Sequence, residues 1–98
     1  MKAYQGRRLG HACVVTVNNA QLNPRLDLWN HSPTGFEWGY GGSGPAQLAL
    51  ALLADHLRDD RRALECYQAF KHAVVSKLPE VGWTLSSADI EQNLITTP

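Results

Sequence analysis

From Leu48 to Ala54 the chain reads Leu-Ala-Leu-Ala-Leu-Leu-Ala without a polar position, bounded by Gly44-Pro45 on one side and Asp55-His56 on the other. A helix at the surface carries a polar face, so this run predicts a helix from about Pro45 to Leu57 that is covered on most sides. Asp59 and Asp60 predict the cap of a second helix, from about Arg61 to Lys77. In it Leu64, Tyr67, Phe70, Val74 and Leu78 recur at the three- and four-residue spacing of an inward-facing stripe. Pro79 ends that helix, Trp83 to Leu85 reads as a short extended segment, and Ser86 or Ser87 caps a last helix from Ala88 to Leu94.

The first third of the chain has the other periodicity. Lys2 to Gln5 and Ala12 to Val17 read as two strands around a GRRLG turn, the second rich in β-branched residues. Asn18-Asn19 supplies a tight turn into a short segment ending near Leu22, because asparagine tolerates left-handed geometry. The stretch from Asn23 to Thr34, with Pro24, Pro33 and alternating Leu26 and Leu28, reads as an edge strand or an ordered loop. Phe36, Trp38 and Tyr40 alternate with Glu37 and Gly39, which predicts a further strand. Together the elements predict a single α+β domain over residues 1–98. In it a small antiparallel β-sheet of three to five strands packs against a central apolar helix, a second amphipathic helix and a short C-terminal helix. Leu48, Leu52, Tyr67, Phe70 and Val74 are its expected core.

Composition narrows the function classes. Nine Lys and Arg balance nine Asp and Glu among 98 residues, which removes the usual electrostatic basis for a nucleic-acid or anionic-membrane partner. The longest apolar run falls far short of the ~20 residues needed to span a bilayer. Cys13 and Cys66 have no CxxC or Cys/His ligand spacing, and no signal peptide is recognisable, so two free thiols in a cytoplasmic protein are expected. His11, His31, His56 and His72 lack HxxxH or HExxH spacing, and no metal or cofactor is expected.

The candidate chemistry lies in GFEWGYGGSGPAQ, which begins at Gly35 and holds five of the eight glycines between Gly35 and Gly44. Pro45 suits the first helical position and Gly44 or Ser43 the N-cap, so free backbone N–H groups there would form a partly positive anion nest, with Trp38 and Tyr40 near enough to stack on a planar group. The candidate ligand-binding residues are Trp38, Gly39, Tyr40, Gly41, Gly42, Ser43, Gly44 and Gln47. Gly39, Gly41 and Gly44 satisfy GxGxxG, but a helix follows where a dinucleotide fold needs a second strand. There is no GKS or GKT, and Pro45 breaks a GxSxG around Ser43. Trp29, in a polar loop beside Asn30 and His31, is the better candidate for an exposed contact, whereas His56 complements the C-terminal dipole of its helix.

GFEWGYGGSGPAQLALALL, YQAFK and GWTLSSADI, spread over nearly the whole chain, resemble a family of small uncharacterised proteins of bacteria and their phages. The resemblance implies a prokaryotic or viral setting and an α+β fold, and it carries no catalytic residues. The expected function is therefore non-enzymatic binding of a small nucleotide-type anion, such as sequestration of a nucleotide immune signal by a phage protein, with a homo-oligomer enclosing the ligand. The alternatives are a protein-interaction module that inhibits a host protein through Trp29 and Tyr40, or a nucleotide-acting enzyme using His56, Asp55 or Glu37.

Overall fold

The computed structural model describes residues 2–95. Strands β1 (Ala3–Leu9), β2 (Ala12–Val17) and β3 (Ala20–Gln21) form a meander, and β4 (Gly82–Ser86) adds to the free side of β1, giving the antiparallel order β3-β2-β1-β4. Helices α1 (Ser43–Leu57), α2 (Asp60–Ala73) and α3 (Ser87–Ile95) complete an α+β fold. No helix among the described residues is long and apolar enough to cross a membrane.

Alternation along the strands creates the inward face. Tyr4 lies between Val17 and Leu85, Gly6 between Val15 and Trp83, and Arg8 opposite Cys13. Gly6 is required by close approach, since a Cβ there would meet the Trp83 ring at 2.3 Å. The Trp83 indole lies across β1 and meets Trp38 edge to face, with ring centroids 5.6 Å apart. Asn18 and Asn19, at φ +48 and +70, make the β2–β3 turn as their sequence predicts.

Helix α1 is buried from Gly44 through Ala54, packs against α2 and α3, and shares its core with Tyr4, Val15, Trp38, Tyr67 and Phe70. Asp59 caps α2 by accepting a hydrogen bond from the Arg62 N–H at 3.1 Å. At the start of α3, Ser86 and Asp89 exchange reciprocal bonds at 2.9 and 3.1 Å, a capping box in all but the acid's length.

Several sequence expectations are corrected. β1 continues through Arg7 and Arg8 to Leu9, so the first turn is Gly10-His11 instead of GRRLG. The predicted strand from Phe36 to Tyr40 is irregular backbone, in which Trp38 is buried, Phe36 half-buried and Tyr40 exposed. At the two ends of the outer edge of β4 the N–H groups of Gly82 and Ser86 already bond Pro79 O and Asp89. Helix α1 starts at Ser43 with Gly42 as its cap, which moves Pro45 from the first to the third helical position. Helix α2 ends at Ala73, and a 3-10 turn over Val75–Lys77 follows. Of its predicted stripe Leu64 is exposed, Val74 and Leu78 are half-buried, and Ala63 and Val75 are buried instead.

The centrality of α1 is measurable. Leu52 is fully buried, so Leu52→Ala is expected to cost about 2–5 kcal/mol in denaturant unfolding. A loss under about half a kcal/mol, the scale of a neutral surface change, would place the core elsewhere.

Candidate functional site

The glycine-rich corner is built around an ion pair. Arg8, on the inward face of β1, reaches Glu37 with both guanidinium nitrogens, Nη1 at 3.1 Å from Oε2 and Nη2 at 3.0 Å from Oε1. Its Nε donates to Glu80 O, and its guanidinium lies 4.7 Å above the Trp38 ring. The Glu37 carboxylate also accepts from the Trp38 N–H and faces the Cys13 thiol. The Arg8 hydrogen bonds hold Glu37 below the usual carboxylate range, while burial, followed by contact with Glu37, pushes the Cys13 thiol up. Both cysteines are free thiols. Cys13 packs against the core, and its Sγ also accepts from Arg8 Nη1 at 3.0 Å.

The eight candidate residues of this corner separate into two groups. Trp38 is 1 % exposed and its Nε1 donates to Glu80 O at 3.1 Å, so its ring offers no free face. Gly44 is buried against Glu37, whose Cβ would lie 2.6 Å from a Cβ at that position, and Gln47 is buried with its amide turned to another loop. Gly39, Tyr40, Gly41 and Ser43 are exposed and Gly42 lies half-buried under the Tyr40 ring. A cavity of about 310 Å³ opens here between Arg8, Glu37, Trp38, Gly39, Tyr40 and Glu80. Its walls carry two carboxylates, and its one guanidinium is already engaged, which opposes an incoming anion.

A second construction uses Gln47. Its Nε2 donates to Pro24 O at 2.6 Å, while its Oε1 accepts from the N–H groups of His31 and Ser32 at 2.8 and 3.1 Å. One buried amide thus ties both ends of the loop before α1. Arg25, at φ +55, adds a second tie through paired bonds to Asp27 and to Asp60 at the start of α2. The Ser32 hydroxyl donates to Gly35 O at 2.7 Å. His31 makes a third attachment, with Nε2 2.7 Å from Tyr67 Oη. Burial first, and then the Lys71 charge, depresses the pKa of His31 below its ordinary 6.5, which keeps the imidazole neutral around pH 7.

The product of these ties is Trp29. It is 57 % exposed, yet its indole stacks on the His31 ring at 5.7 Å with planes 23° apart. Asp60, Leu64, Tyr67 and Lys71 recur at helical spacing, so exposed Leu64 lies on the α2 face crossed by this loop, and Leu26 adds another exposed apolar side chain. The position of Trp29 agrees with its sequence reading. The role of Gln47 was missed there, although a lone amide in an apolar helix signals that buried partners must exist.

The acid and base candidates elsewhere are held in pairs. His56 Nε2 lies 2.6 Å from Glu91 and ties α1 to α3, while Asp55 accepts from Tyr4 and Lys2. No His, Cys, Asp or Glu cluster suited to a metal occurs among the described residues.

Comparison with protein families returned one described as a family of unknown function (DUF6166), matching residues 4–96. Neither the curated proteins nor the solved structures gave a match.

Gln47→Leu keeps the volume of the side chain but strands the two N–H groups and the carbonyl that it serves. A destabilisation of about 1–3 kcal/mol is expected, with fast hydrogen exchange at His31 and Ser32. Unchanged protection at both amides would show that other ties suffice.

Proposed function

The chain belongs to the DUF6166 family of unknown function, and since that membership supplies no activity we propose, from the geometry alone, that the protein is a non-enzymatic protein-interaction module. Its recognition surface is the loop over residues 23–34 with Trp29 as the anchor. In the prokaryotic or viral setting that the sequence resemblance implies, the partner is a host protein.

One observation carries this reading: a tryptophan more than half exposed is stacked on His31, itself tied to Tyr67 and, through its N–H, to Gln47. Exposing an indole to water costs free energy, and fixing it costs entropy, so both expenses favour a site in which the ring is buried later against a partner. Tryptophan is enriched among interface hot spots, and an ordered loop reduces the ordering cost of association. Leu26 and Leu64 supply apolar surroundings, and the Arg25, Asp27 and Asp60 ion pairs supply a polar rim.

A second reading keeps a nucleotide-type anion at the exposed part of the glycine corner. The half-exposed Tyr40 ring beside the first turn of α1 favours it, because the N–H of Ser43 has no intrahelical acceptor there. Glu37 and Glu80 count against it.

The two readings separate experimentally. Partners captured by the wild-type protein from a bacterial lysate are identified, and the affinity of the purified pair is measured with Trp29→Ala. A loss of about 2 kcal/mol or more, near 30-fold, is expected with the fold retained. Equal affinity of the variant would remove Trp29 from the interface. Calorimetric binding of a mononucleotide, cyclic dinucleotide or ADP-ribose derivative that Tyr40→Ala abolishes would instead move the assignment to the glycine corner.

A further inference from the structure

Four non-glycine residues among those described have left-handed φ. Asn18 and Asn19 belong to a hairpin turn, where asparagine is expected. The other two are arginines, Arg25 at +55 and Arg58 at +53, and both line one cavity. Arg58 occupies the left-handed position ending α1, where glycine or asparagine is the usual choice. The backbone geometry therefore does not explain this side chain. Arg25 is accounted for by its two carboxylate partners, whereas the guanidinium of the exposed Arg58 has no hydrogen-bond or ion-pair partner among the described residues.

The cavity is a solvent-open cleft of about 330 Å³, at the low end of the range of small-molecule sites, between Lys2, Asn23, Arg25, Asp55, Arg58 and Asp60. Two internal pairs, Lys2 to Asp55 at 3.0 Å and Arg25 to Asp60 at 2.9 Å, neutralise most of its charge. On Asp55, Oδ2 alone accepts from both Lys2 Nζ and Tyr4 Oη, at 3.0 and 2.7 Å, leaving Oδ1 as an open acceptor. Tyr4 is pushed well above the ordinary phenol range, by burial first and then by its bond to Asp55, while the Arg58 charge acts in the opposite direction.

Two groups keep open hydrogen-bonding capacity, the Arg58 guanidinium, which is the one charge the two pairs leave over, and Oδ1 of the Asp55 carboxylate. They lie three residues apart at one end of α1, where the helix carbonyls add partial negative charge. A simple anion would use the guanidinium and leave Asp55 Oδ1 without a donor, and a simple cation would meet the Arg58 charge. We propose that this cavity binds a small zwitterion of the α-amino acid type, its carboxylate on the Arg58 fork and its ammonium on Asp55 Oδ1. Neither group has to give up its structural partners, because Lys2 and Tyr4 occupy the other carboxylate oxygen.

The test is a thermal-shift screen of the individual proteinogenic amino acids against the full chain at neutral pH, followed by calorimetry on those that raise Tm. For each, the carboxylate lacking the ammonium and the amine lacking the carboxylate serve as controls, as propionate and ethylamine do for alanine. Saturable binding of at least one amino acid is expected, with neither control replacing it. Arg58→Asn, chosen because asparagine accepts left-handed φ, and Asp55→Asn should each weaken binding by roughly tenfold or more. The proposal fails if no amino acid binds, if binding is indifferent to both substitutions, or if a control carboxylate binds as tightly as its amino acid.

Discussion

A helix surrounded on all sides by core must find a partner for every polar group it carries, and α1 carries one such side chain in its buried length, Gln47. The arrangement of the long connection between β3 and α1 follows from that requirement. An amide has two acceptor sites and two donors, and three of these are used on the backbone of Pro24, His31 and Ser32. Because the partners are backbone groups of a loop, satisfying the helix also fixes the loop. The desolvation cost of an unpaired amide makes any arrangement without these bonds unfavourable.

The rest of the connection builds outward from this clamp. Arg25 reaches α2 through Asp60, and His31 reaches the same helix through Tyr67. Trp29 is then held against His31 from a segment that has no regular secondary structure. At the other end of the connection, the Arg8–Glu37 pair covers Trp38 and brings Glu37 against Gly44 at the start of α1. The glycines at 42 and 44 are accounted for by close neighbours, the Tyr40 ring and Glu37 respectively. The corner that looks most like a ligand loop in sequence therefore has a packing rationale, whereas the polar loop before it displays the larger fixed aromatic surface.

Elements with strong local signals were legible in the sequence. The apolar run of α1, the Asn18-Asn19 turn, the Asp59 cap and the β-branched β2 each carry their own cause within a few residues. What escaped depends on partners distant in sequence. Arg7 and Arg8 hide the second half of β1, because the charge of Arg8 becomes acceptable only when Glu37 covers it. The alternation at Phe36, Trp38 and Tyr40 suggests a strand, but Trp38 is drawn instead against Trp83, whose ring fills the space left by Gly6. Leu64 fits the α2 stripe by spacing, yet Ala63 takes the buried place because close packing of α1 on α2 favours the smaller residue there. At the candidate site, Trp29 was readable as an exposed aromatic, while the role of Gln47 was not, since nothing local names the loop it serves.

The central claim is that a buried amide rigidifies a loop of irregular backbone so that Trp29 stands in one orientation. Backbone and indole 15N relaxation on the wild-type protein measures this directly. Order parameters for Arg25 to Ser32, and for the Trp29 indole, should match those of α1 at about 0.85. Values below about 0.6 across the loop, with α1 rigid, would contradict the account and leave Trp29 a mobile surface residue.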